Sequence, residues 1–157
     1  MAKTTGFVSA TLLLANLMVA NPSFVLPAVA KTSTQPFSVA VTLSAAAAKK
    51  LTNSGEGLTI AAYYNGEAKA GVETEDGTVP LNAEERLIEP GGTAKFGSIS
   101  FKDRDLKKII GKPQLTINVF TSRKKFENNL LSCDIWSGDV DQSAGETLTL
   151  ACKLIGE

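Results

Sequence analysis

The chain predicts a mainly β fold: one small β-sandwich, immunoglobulin-like or transthyretin-like in general form, with one or two short helices and one disulfide. Three observations predict it. Several short segments alternate apolar and polar residues, turn-forming residues separate them, and two cysteines fall on alternating apolar faces near the C-terminus.

The first thirty residues stand apart from that pattern. A single basic residue, Lys3, precedes an uncharged run containing Phe7, Leu12, Leu13, Leu14 and Leu17. Asn21, Pro22 and Pro27 then break any helix, and Ala28, Val29 and Ala30 place small residues where a signal peptidase reads them. Residues 1–30 are therefore expected to be a cleaved signal peptide, and residues 31–157 a single domain in the periplasm or outside the cell. The apolar run covers about 14 residues, short of the roughly 20 needed to span a bilayer core. No later segment is apolar enough to do so, and no membrane insertion is expected after cleavage.

Within residues 31–157, Phe37, Val39, Val41 and Leu43 alternate with Ser38, Ala40 and Thr42 and predict a first strand. Ser44 supplies a capping hydroxyl for a short helix over Ala45 to Leu51, which Asn53 to Gly57 stops. Leu58 to Tyr64 predicts a second strand ended by the turn dipeptide Asn65-Gly66. Glycines, prolines and acids dominate residues 67–89 and predict a long loop, with one short strand near Arg86 to Ile88. Ala94 to Phe101 favours extended chain. Asp103 caps a turn holding Leu106, Ile109 and Ile110, which Gly111 terminates. Strands are expected over Gln114 to Thr121, Leu130 to Trp136, and the segment containing Leu148, Leu150, Cys152 and Leu154.

Cys133 and Cys152 are an even pair in a chain read as exported, and a disulfide between them is expected to join two antiparallel neighbours. Closing a loop of that size stabilises by roughly 3 kcal/mol in the chain-entropy model.

The chain has 16 basic and 16 acidic residues and no histidine. Removing Lys3 with the leader leaves the balance near neutral, so global charge points to neither nucleic acid nor anionic membrane as partner. The missing imidazole removes the commonest metal ligand and the usual proton shuttle near neutral pH. Serine–lysine pairs (Ser100 and Lys102, Ser122 and Lys124) and carboxylate pairs (Glu84 and Glu85, Asp103 and Asp105, Asp139 and Asp141) have stronger readings as solvated or capping groups. No enzyme activity, cofactor or metal is implied.

Charge position says more. Eight cations lie between Lys102 and Lys125, and seven acids between Glu67 and Glu89, which predicts a polarised surface. Arg123, Lys124 and Lys125 after a strand, with Tyr64 or Trp136 as aromatic anchors, are the expected binding residues for a protein partner. The expected function is a small exported binding or inhibitory module. The alternatives are an assembly subunit of the cell envelope and, behind it, a histidine-free hydrolase.

Overall fold

The computed structural model describes Met1 and residues 33–157. The expected leader, residues 1–30, lies outside the described residues apart from Met1. The elements are β1 (Phe37–Leu43), α1 (Ala45–Ser54), β2 (Leu58–Ala68), β3 (Thr78–Ile88), β4 (Thr93–Phe96), α2 (Asp103–Leu106), β5 (Ile109–Thr121), β6 (Leu131–Cys133), β7 (Trp136–Asp139), a 3-10 turn (Val140–Ser143) and β8 (Thr147–Leu154). They form two four-stranded sheets, ordered β4-β1-β8-β6 and β3-β2-β5-β7. This is the β-sandwich with two short helices and one disulfide that the alternation predicts.

β1 and β8 pair in parallel, from Ser38 opposite Thr147 to Leu43 opposite Cys152. The first and last strands of the domain are thus held side by side. Phe37, Val39 and Val41 from β1 face Leu58, Ile60, Ala62 and Tyr64 from β2 across the core, with Leu115, Ile117 and Val119 of β5 beside them; all are buried. Phe37 stacks on Phe96 with ring centroids 4.9 Å apart. α1 carries the chain from one sheet to the other. The Ser44 hydroxyl accepts from the Ala47 N–H at 3.1 Å, as its capping role requires, and Ala47 and Leu51 bury the helix's apolar side.

Five segments differ from expectation. Asn65-Gly66 lies inside β2, beside bulges in its neighbours, rather than in a turn: pairing to both shifts register there, with the extra residues on β3 and β5. Gly66 is required by packing, because a Cβ on it would stand 2.6 Å from Ile109 Cγ2. The expected loop over residues 67–89 contains the 11-residue strand β3. Its apolar alternation fails because Glu84 and Arg86 lie opposite Ala62 and Ile60, and opposed residues share a face. Two charged side chains therefore point to the core side of an edge strand, a recognised protection against edge-to-edge pairing. They pair with each other at 3.3 Å, and the Arg86 guanidinium lies 5.2 Å from the Phe96 ring centroid.

α2 is a single turn, and Ile109 and Ile110 belong to β5 instead of to it. Extended chain after β4 stops at Phe96, with one isolated bridge between Ser33 and Ser100 further on. Leu130 to Trp136 is not one strand: the chain leaves one sheet after Cys133 and enters the other at Trp136.

Cys133 and Cys152 are directly opposed on the antiparallel pair β6 and β8 and form the expected disulfide, with Cα atoms 4.0 Å apart. Cys152 is buried and Cys133 half-buried.

Candidate functional site

The chain between β5 and β6, residues 122–130, crosses from one sheet to the other at the end of the sandwich that also carries α1. Two polar anchors hold it. The first is Glu56, in the sequence Gly55-Glu56-Gly57 between α1 and β2. Gly55 takes the left-handed conformation (φ 66°) that ends the helix, and its N–H and that of Glu56 satisfy the last carbonyls of α1. That reversal directs the Glu56 side chain inward, where the residue is 1% exposed.

The carboxylate is surrounded by donors. Oε1 accepts from the Ser122 hydroxyl and from the N–H groups of Gly57 and Lys124, each at 3.1 Å. Oε2 accepts from the N–H groups of Lys125 at 2.7 Å and Phe126 at 3.2 Å. Successive N–H groups turned to one point form an anion-binding concavity, and here a side chain of the same chain fills it. Burial works to raise the Glu56 pKa, but the hydrogen bonds from Ser122, Lys125, Lys124 and Phe126 outweigh it and bring the group down to about 2. The side chain is therefore ionised over the whole neutral range.

The second anchor closes the base of the loop. Asn129 Oδ1 accepts from the N–H groups of Thr121 at 3.0 Å and Leu131 at 3.1 Å, and its amide donates to the Leu131 carbonyl at 2.8 Å. The Leu130 N–H donates to the buried Thr121 hydroxyl at 3.3 Å. Two residues after Leu131, the disulfide fixes the outgoing strand.

What this scaffold presents is cationic. Arg123, Lys124 and Lys125 are all exposed. Arg123 has φ 60°, a left-handed backbone uncommon for a side chain-bearing residue, and its guanidinium lies 5.8 Å from the Phe120 ring centroid on the outer sheet face. Lys50 of α1 reaches the same loop, with Nζ 4.9 Å from the Phe126 ring centroid. Ion pairs among the described residues join Arg86 to Glu84, Arg104 and Lys108 to Asp105, and Lys112 to Asp141. The loop cations take part in none of them.

The two expected aromatic anchors are not brought to this loop. Tyr64 is a correction: it is 1% exposed and lies in the core, 5.8 Å from Phe101 between ring centroids. The outward-facing tyrosine is its neighbour Tyr63, 40% exposed. Burial raises the Tyr64 phenol to about 12, with the Glu84 charge adding to the rise and Arg86 opposing it. Trp136 is half-buried on the edge strand β7, opposite Ile117 and four residues along β5 from Thr121. The run Lys102 to Lys125 also divides. The 13 residues of β5 separate Lys102–Lys108 from Arg123–Lys125 by about 40 Å at roughly 3.3 Å per residue. The acidic β2–β3 connection lies at the Lys102–Lys108 end, where the Lys69 N–H bonds the Lys108 carbonyl at 2.8 Å. That end is mixed in charge.

Two of the polar pairs weighed for chemistry, Ser122 with Lys124 and Asp139 with Asp141, are engaged otherwise. Ser122 donates to Glu56 and not to Lys124. Asp141 pairs with Lys112 at 2.9 Å, and Asp139 accepts from the Gln114 amide.

Sequence reasoning named the cations of the loop and missed its anchors. An acid between two glycines, directly after a helix and before an apolar strand, was the available signal for Glu56. Among the described residues no helix is long and apolar enough to cross a membrane. Comparison of the chain with protein-family models, curated proteins and solved structures gave no match.

Proposed function

We propose that this chain is an exported binding module that engages an acidic surface of a protein partner, in the periplasm or outside the cell, through Arg123, Lys124 and Lys125. One observation carries the reading: the backbone of residues 124–126 is pinned by a buried carboxylate while the Arg123, Lys124 and Lys125 side chains stay exposed and join no ion pair among the described residues. A loop held this way has little backbone freedom left to lose on binding, and preordering of that kind raises affinity. Unpaired cations at its tip steer an acidic partner and make association sensitive to salt.

The test is capture from an envelope or culture-supernatant extract with the wild-type protein and with the triple variant Arg123→Ala, Lys124→Ala, Lys125→Ala. A partner held by the wild type, lost from the triple variant and released by added salt is expected. Partners retained equally by both proteins would oppose the assignment to this loop.

A further inference from the structure

The second region with the makings of a site lies on the other half of the β2–β3 pair. A cavity of about 460 Å³ opens there, lined by Tyr63, Asn65, Thr78, Pro80, Leu81 and Asn82 among others, and no Asp, Glu, Lys or Arg side chain lines it. The bulge creates it. Asn65 pairs with Pro80 while Tyr64 pairs with Asn82, so Leu81 is an extra residue on β3 and the two strands part locally. Tyr63 stands beside the small side chains of Ala83 and Thr116, which share its face of the sheet, and its ring stays 40% exposed.

We infer that this cavity is a binding site for a neutral, hydroxyl-rich ligand, a saccharide. The lining weighs against two other classes on physical grounds. An anionic ligand would lose hydration with no lining cation to meet it. A peptide strand added to the β3 edge would meet Pro80, which has no N–H to offer, and a bulge that interrupts the ladder. The groups that remain suit a sugar ring. The Tyr63 face matches the apolar C–H face of a pyranose, and the amide of Asn65, two residues along β2 and so on the same face, can donate and accept toward its hydroxyl rim. This site is separate from the cationic loop, so the two assignments stand or fall independently.

Calorimetric titration of the purified protein with cellotetraose, maltotetraose and N-acetylchitotetraose, and with dextran sulfate as an anionic comparator, tests the inference. At least one neutral oligosaccharide binds; Tyr63→Ala weakens it by about tenfold, the order of one lost aromatic contact, and Tyr63→Phe keeps it. Because Tyr63 is on the surface, an unchanged melting temperature in Tyr63→Ala separates loss of the site from loss of the fold. The Lys124→Ala, Lys125→Ala variant binds the neutral sugar as the wild type does. Absence of binding by all three neutral probes at millimolar concentration, or binding to Tyr63→Ala as tight as to the wild type, overturns the assignment. So does binding of dextran sulfate alone, lost with the lysines, which would place recognition on the loop.

Discussion

Two carboxylates drawn away from solvent, Glu56 beneath the β5–β6 loop and Glu84 on the edge strand β3, are treated in opposite ways. Glu56 meets four backbone N–H groups and a hydroxyl, with both oxygens satisfied. Glu84 meets one guanidinium at 3.3 Å, while its Oε2 is buried with no partner and the nearby phenol of Tyr64 is unpartnered too. A carboxylate solvated by the backbone fixes the backbone that solvates it. An ion pair with side chains 39% and 20% exposed fixes little and is worth about 0–1 kcal/mol. The first arrangement builds a rigid platform for exposed cations; the second keeps an edge strand from accepting another strand.

Four variants sharpen that contrast. The largest effect is expected from Cys133→Ala with Cys152→Ala, which frees the strand leaving the loop: chemical denaturation should show a loss of roughly 2–5 kcal/mol. A double variant melting at the wild-type temperature would remove the disulfide from the account. Glu56→Gln comes next. An amide replaces one acceptor oxygen with a donor facing N–H groups, and the expected cost is about 2–3 kcal/mol.

The pH dependence of that variant carries a sign. The folded-state pKa of Glu56 is about 2 against an ordinary 4.5, so the carboxylate's contribution is fully present above pH 4.5 and is lost as pH falls toward 2. Wild-type stability should therefore drop more steeply through that window than Glu56→Gln stability, and the two curves should converge at its acid end. Parallel curves would mean that Glu56 keeps an ordinary pKa in the fold.

At the edge, Glu84→Gln should change the midpoint by no more than about 1 kcal/mol. The smallest effect is expected for Tyr64→Phe. Deleting a buried hydroxyl that has no partner should leave stability within about 0.5 kcal/mol of wild type or raise it slightly. A loss well above that would show that the phenol is hydrogen-bonded in solution, and the two regions would then be more alike than the structure makes them.

The same contrast explains which parts of the molecule were legible. β1, β8, the Ser44 cap and the cysteine pairing could be read because each follows a strict period or a local capping rule, with apolar residues on one face and polar residues on the other. Of β3 only the end at Arg86 to Ile88 could, because Glu84 and Arg86 put charge where the period calls for apolar side chains, and Pro80 with an extra residue breaks what alternation remains. Tyr63 and Tyr64 were known to face opposite ways, but which one faces out depends on the register with β5, where Tyr64 meets the buried Leu115. Arg123, Lys124 and Lys125 stood out as a charge run after a strand. Glu56 and Asn129 did not, since apart from Gly57 the partners of Glu56 lie 66 to 70 residues away, those of Asn129 lie 2 and 8 residues away, and none belongs to a repeating pattern.

The central claim is that Glu56 holds the cationic loop in place, and amide hydrogen exchange reads it directly. In the wild-type protein at neutral pH the N–H groups of Lys124, Lys125 and Phe126 should exchange slowly although their residues lie in a surface loop, and in Glu56→Gln the same three should exchange much faster while β2 and β5 stay protected. Rapid exchange of those amides in the wild type, or identical rates in the two proteins, would contradict the account.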